Sequence, residues 1–185
     1  SGALQRSILL TTVEDEAALS FGSAQRRRGV VGLDSFQIIG VIGEGTFGTV
    51  YEVQDLKTMK RCALKILHRR QYRLRAMVAR AHQELQVLKI ARHPFVVRLF
   101  CAFRTPAREL AMVMELCPNG NLNGLIVQCG NPGLREGVTR KFLAEIVLAL
   151  EYLHDVLDVV FRDLKPENVV FDVAMRAKLI DFGLA

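Results

Sequence analysis

The sequence predicts an α+β fold of two lobes, β-rich first and helical afterwards. Three observations carry that expectation. Alternating or β-branched segments recur at 36–42, 49–53, 63–67 and 110–116, and helically spaced apolar residues recur at 74–88 and 142–153. Between these two parts stands Pro118-Asn119-Gly120-Asn121, a turn-forming run that suits a linker. Residues 1–33 carry little periodicity and read as a flexible extension, so the folded domain is expected over 34–185.

Composition bounds the function classes. The chain has 185 residues and 50% hydrophobic content, enough for one substantial core or two small lobes. Lys and Arg exceed Asp and Glu by 25 to 19, with much of the excess between Lys57 and Arg80. No basic stripe interleaved with aromatics accompanies that charge, so nucleic acid is not an expected partner. Cys62, Cys101, Cys117 and Cys129 form no CxxC pair and have no neighbouring His at ligand spacing, which reads as buried or partly buried free thiols. No apolar run approaches the roughly 18–20 residues of a membrane span, and a signal peptide is not evident. An intracellular, cytoplasmic protein is the expectation, and the missing initiator Met suggests a segment of a longer chain.

In chain order, Gly43-Glu44-Gly45-Thr46-Phe47-Gly48 lies between two strand-like runs. A dinucleotide-binding turn uses similar glycines but needs a helix directly after the third, whereas Thr49-Val50-Tyr51-Glu52-Val53 alternates like a strand. A hairpin whose glycines let backbone N–H groups approach phosphate oxygens fits better. Next, Ala63-Leu64-Lys65-Ile66-Leu67 places a lysine in an apolar strand, where it needs an anionic partner. Glu84 borders the stripe of Leu74, Met77, Val78, Ala81, Leu85 and Leu88 on the following helix and can serve; the bland alternative is a surface pair with Arg80. Pro94 ends that helix, and 95–100 reads as another strand. Phe142, Leu143, Ile146, Val147, Leu150 and Leu153 define a core helix over 139–154, with His154 packed or capping at its end.

The chemistry concentrates in the last segment. Asp163, Lys165 and Asn168 share a loop interrupted by Pro166, and Asp181 follows a β-branched stretch. Such a loop can aim one carboxylate at a hydroxyl proton while an amide and a second carboxylate hold metal. Arg162-Asp163-Leu164-Lys165-Pro166-Glu167-Asn168 and Asp181-Phe182-Gly183 resemble the catalytic loop and metal-binding motif of eukaryotic protein kinases, of the serine/threonine type. Leu33-Asp34-Ser35-Phe36, His93-Pro94-Phe95-Val96-Val97 and Val113-Met114-Glu115 are similar to the AGC group, related to protein kinases A and C.

The resemblance implies a bilobal kinase fold: small lobe 34–114, hinge 115–120, and the start of the large lobe at 121–185. It implies ATP under Ile42, Gly43, Glu44, Gly45, Thr46, Phe47, Gly48, Thr49 and Val50, with Ala63, Met114, Glu115 and Cys117 around the adenine. Lys65, fixed by Glu84, would hold the α- and β-phosphates; Asn168 and Asp181 would hold Mg²⁺. Asp163 would take or orient the hydroxyl proton of a Ser or Thr in a protein substrate, and Lys165 would neutralise the migrating phosphoryl group. A non-catalytic nucleotide-binding or scaffold protein is the alternative.

Several departures qualify that picture. Phe161 replaces the usual His or Tyr, and Asn121 stands where an acidic residue often meets ribose or substrate arginine, which weakens the expected preference for basic substrates although Glu167 remains. Arg162 would pair with a phosphate placed by an activating kinase on a segment beyond Ala185. The chain ends shortly after Gly183, so by itself it should be poorly soluble and inactive in peptide phosphorylation. Arg26-Arg27-Arg28-Gly29-Val30 resembles a basic substrate motif with Gly at the acceptor position, a candidate pseudosubstrate.

Overall fold

In the computed structural model the structure describes residues 31–45, 48–68 and 75–185. Thr46, Phe47, Leu74 and the arginine run at 26–28 lie outside these, as does the side chain of Met77. Five antiparallel strands form the first sheet: β1 (Phe36–Gly45), β2 (Gly48–Asp55), β3 (Arg61–Leu67), β4 (Leu99–Arg104) and β5 (Leu110–Glu115), in the spatial order β1-β2-β3-β5-β4. Helix α1 (Arg75–Ile90) joins β3 to β4 and buries Ala81, Leu85, Val87 and Leu88. The α+β, two-lobed expectation agrees with this architecture.

The second lobe begins with α2 (Leu122–Cys129), whose first turn is capped by Asn121: its Oδ1 accepts from Gly124 N at 2.8 Å. Helix α3 (Glu136–Glu151) continues into a π-helical turn at Tyr152–Val156, and the two-stranded sheet β6 (Val169–Phe171) and β7 (Ala177–Leu179) follows. Phe142 on α3 packs on Phe171 with centroids 4.6 Å apart, and Glu145 Oε2 accepts from Ala177 N at 2.7 Å. A buried carboxylate thereby satisfies a backbone donor that sheet pairing leaves open.

A core cluster runs through both lobes, taking Leu85 and Leu88 from α1, Met112 and Met114 from β5, Phe142 and Ile146 from α3, and Phe161, Leu179 and Phe182. Backbone bonds reinforce it: Leu179 N donates to Phe95 O at 2.9 Å and Val97 N to Leu179 O at 3.1 Å.

Several elements differ from the sequence expectation. The strand expected at 95–100 lies instead at Leu99–Arg104. Val96 and Val97 are buried, but they face the second lobe through a single parallel bridge to Leu179 and do not extend the sheet; β-branching reports burial there, not ladder pairing. The helix expected at 139–154 starts three residues earlier, and Leu143 and Val147 are exposed while Phe142, Ile146 and Leu153 are buried. His154 is exposed and not packed; it lies in the π turn that follows α3. Of the four free cysteines, Cys62 is buried and Cys101 and Cys117 are half-buried, but Cys129 at the end of α2 is exposed.

Candidate active site

The site starts with the register of the glycine hairpin. Gly43 pairs with Val50, Glu44 with Thr49 and Gly45 with Gly48 across β1 and β2. Gly48 has a steric reason to lack a side chain: a Cβ there would stand 2.0 Å from Ile66 O. β2 can therefore lie against β3 only with glycine at this position. Ile42 is exposed, and Ala63 pairs with Met114 across β3 and β5, both buried. Thr49 Oγ1 lies 2.9 Å from His68 Nε2.

On β3, Lys65 Nζ donates to Glu84 Oε1 at 2.6 Å and Oε2 at 2.8 Å. The partner of Lys65 is thus on α1, while Glu84 does not stand on the surface: it is 5% exposed. Burial pushes the Glu84 carboxyl upward, Lys65 pulls it back down, and the charge of Asp181 adds to the rise. Contact with a cation on both oxygens is what keeps such a buried carboxylate tolerable.

The second cluster of polar groups is in the 161–168 loop. Asp163 Oδ2 accepts from Lys165 Nζ at 2.8 Å and from Asn168 Nδ2 at 2.9 Å, and Asn168 Nδ2 also reaches Asp163 O at 2.9 Å. The Lys165 ammonium holds the Asp163 carboxyl below its ordinary value; burial opposes this and Asn168 assists it. The pair acts in both directions, since Asp163 raises the pKa of Lys165. Pro166–Asn168 form a single 3-10 turn, and Asn168 O accepts from Ile180 N at 3.0 Å, which brings the residue before Asp181 to the loop.

Asp181 itself adopts a left-handed backbone, φ 66°, and its Oδ1 accepts from Gly183 N at 3.3 Å. Arg162 is left-handed too, φ 59°, and its guanidinium donates to Ala185 O at 2.9 Å. Such conformations cost a non-glycine residue about 1 kcal/mol each and persist only where surroundings impose them. Here Phe161 and Phe182, both fully buried, meet edge to face at 5.2 Å and clamp the two loops together. Phe161, which stands in place of the usual His or Tyr, thus takes a packing role against Phe182.

Among the described residues no group of three or more His, Cys, Asp or Glu side chains converges to hold a metal. Asn168 and Asp181 offer an amide and a carboxylate on adjoining backbone, a donor set of two that fits Mg²⁺ bound with phosphates and water. Cys117, just past β5, has its thiol pushed up to about 12 by burial and by the charge of Glu115, and stays protonated. Sequence reading missed Lys178, which is buried on β7 with its ammonium 3.0 Å from Glu115 Oε2 and donating to Pro94 O at 2.8 Å. Its signal is the one that marks Lys65, a lysine between apolar strand residues.

Hairpin, buried lysine–glutamate pair and carboxylate loop belong to one two-lobed α+β domain, and comparison with known proteins gives its family. The Protein kinase domain family matches residues 36–185, and this chain belongs to it. Serine/threonine protein kinase OSK3 of Oryza sativa subsp. indica is 38% identical over 153 residues, covering 83% of this chain and 29% of that protein. Sucrose non-fermenting protein kinase 1 of Fusarium virguliforme is 35% identical over 153 residues, covering 83% and 21% respectively. Serine/threonine-protein kinase AtPK1/AtPK6 of Arabidopsis thaliana is 36% identical over 173 residues, covering 93% and 36%. The chain spans about a third or less of the length of these curated relatives. No helix among the described residues is long and apolar enough to cross a membrane.

Proposed function

We propose that the protein containing this chain is an ATP-dependent serine/threonine protein kinase and that residues 34–185 are the front part of its catalytic domain, hinged at 115–120. The observation that carries this reading is the bidentate Lys65–Glu84 pair, at whose glutamate the charge of Asp181 is felt, together with the Asp163–Lys165–Asn168 cluster. In this reading ATP lies beneath the glycine hairpin, its adenine between Ile42, Val50, Ala63 and Met114 and against the backbone of Glu115 and Cys117. Lys65 neutralises the α- and β-phosphates while Glu84 keeps its ammonium aimed. The Asn168 amide oxygen and Asp181 would hold Mg²⁺, which would supply charge neutralisation on the phosphates. Asp163, kept ionised by Lys165, accepts the proton of the substrate hydroxyl as that oxygen bonds to the γ-phosphorus and the bond to ADP breaks. Lys165 then faces the transferring phosphoryl oxygens. ATP as donor suits an intracellular setting.

Substrate preference follows from charge near the loop. Asn121 is uncharged and committed to capping α2, so Glu167, exposed beside Pro166, is the carboxylate left to meet a substrate arginine. A modest basic-directed preference results. The AGC-like motifs at 33–36, 93–97 and 113–115 support the same preference. Peptides with and without arginines before the acceptor Ser or Thr measure it directly.

The test uses the full-length protein, MgATP and such peptides, beside Asp163→Asn and Lys65→Met. Each variant is expected to lose at least about 100-fold in kcat/KM, roughly 3 kcal/mol of transition-state stabilisation. Equal activity in all three proteins would sink the catalytic assignment, and MgATP binding without transfer in the wild type would establish the scaffold alternative.

A further inference from the structure

Lys178 is 5% exposed, yet nothing in the reading above uses it. Its ammonium lies 3.0 Å from Glu115 Oε2 and donates to Pro94 O at 2.8 Å. Three elements meet at that one charge. Glu115 closes β5 and opens the hinge; Pro94 belongs to the connection that follows α1, the helix carrying Glu84; and Lys178 sits on β7, three residues before Asp181. We propose that Lys178 is a positioning residue for nucleotide binding, locking the start of the hinge to the strand that presents Asp181. The inference rests on the kinase reading and goes beyond it.

Several observations separate this role from general stabilisation. β7 is already tied to the 94–97 segment by the backbone bonds of Leu179 with Phe95 and Val97. The far end of the hinge is tied to β6, where Asn119 N donates to Phe171 O at 3.3 Å and Phe171 N to Gly120 O at 3.0 Å. The Glu115–Lys178 pair joins the near end of the hinge, next to the adenine-facing Met114, to β7. Its charge reaches neighbours on two sides: beyond the effect of burial, it lowers the pKa of His93 and offsets the upward push of Glu115 on Cys117. Removing either partner frees the other to seek water and slackens the distance between hinge and Asp181, the two ends between which a bound nucleotide is held.

The experiment compares the full-length wild type with Lys178→Met, Lys178→Arg, Glu115→Gln and the Met/Gln double variant. MgADP affinity is measured by calorimetry, and KM for ATP and kcat with a peptide substrate. Lys178→Met and Glu115→Gln should each weaken MgADP and raise the ATP KM about five- to tenfold with kcat within about twofold, and the double variant should be no weaker than the worse single one. Lys178→Arg should recover most of the affinity. Wild-type affinity in Lys178→Met with only a lowered Tm, or additive effects in the double variant, overturns the proposal. Should Lys178→Met fail to fold, wild-type affinity in Glu115→Gln does so. A wild type that binds no MgADP overturns this inference and the kinase reading together, whereas normal MgADP binding across all variants overturns this one alone.

Discussion

Single side chains do different jobs with the same charge. Asp163 stays ionised through an exposed lysine, Glu84 is buried and tolerates it through Lys65, and Asp172 organises a turn. Asp172 Oδ1 accepts from Ala174 N at 2.9 Å and Arg176 N at 3.0 Å, and Oδ2 from Arg176 Nε at 2.7 Å, closing the hairpin between β6 and β7 that leads to Asp181. Burial pushes this carboxyl upward, but the Arg176 and Ala174 hydrogen bonds outweigh it, and its pKa falls below the ordinary 3.8. A folded-state value under the unfolded one gives stabilisation that is fully present above pH 3.8 and lost as pH falls through the depressed folded value. Asp172→Asn should therefore lower unfolding free energy by about 2 kcal/mol at pH 7, and the gap to wild type should stay level down to about pH 5 and narrow only below about pH 4. Urea titrations at four pH values read this; a gap that widens toward acid would contradict it.

At the scale of elements, what could be read from sequence was what repeats or what chemistry demands. The hairpin of β1 and β2 follows from glycines between alternating runs, and the Lys65–Glu84 pair from the cost of a lone lysine in an apolar strand. What could not be read depends on partners distant in the chain. Val96 and Val97 look like strand residues but are buried in the interlobe core, where Val96 bridges to Leu179, and His154 is exposed in the π turn that follows α3. Lys178 carried a legible demand for an anion, but its partner Glu115 is 63 residues away on another lobe, and only the packed fold brings them together. The glycine hairpin offers a sharp test of element packing. Gly48→Ala pushes a Cβ into the backbone of β3, whereas at Gly45 no described atom lies within 4 Å of the added group. Gly48→Ala is expected to lose about 3 kcal/mol of stability as β2 and β3 separate, and Gly45→Ala to stay within about 0.5 kcal/mol of wild type. Equal melting curves for the two variants would mean that β2 does not lie this close to β3.

For the whole molecule, the core that joins the two lobes leaves one helix face unused. Phe142, Ile146, Ala149 and Leu153 turn into that core, while Leu143 (56% exposed), Val147 (59%) and Leu148 turn out from α3, and Ile126 and Val127 are exposed on α2. Leu143 and Val147 are four residues apart and stand above one another on the helix, so they form a continuous apolar strip, and burying each such side chain is worth roughly 1.5–3 kcal/mol. Isolated from any further polypeptide, the 185-residue chain should bury this strip against other copies of itself. Sedimentation velocity between about 1 and 50 µM, the range where weak apolar association becomes visible, should show the mean sedimentation coefficient rising with concentration. Replacing Leu143 and Val147 together by Gln should hold the chain monomeric across that range with little change in its melting curve, because neither side chain contributes to the interlobe core. A wild-type chain that stays monomeric with a sharp cooperative melt at 50 µM would show that the strip drives no association, and would count equally against the expectation that this segment is poorly soluble by itself.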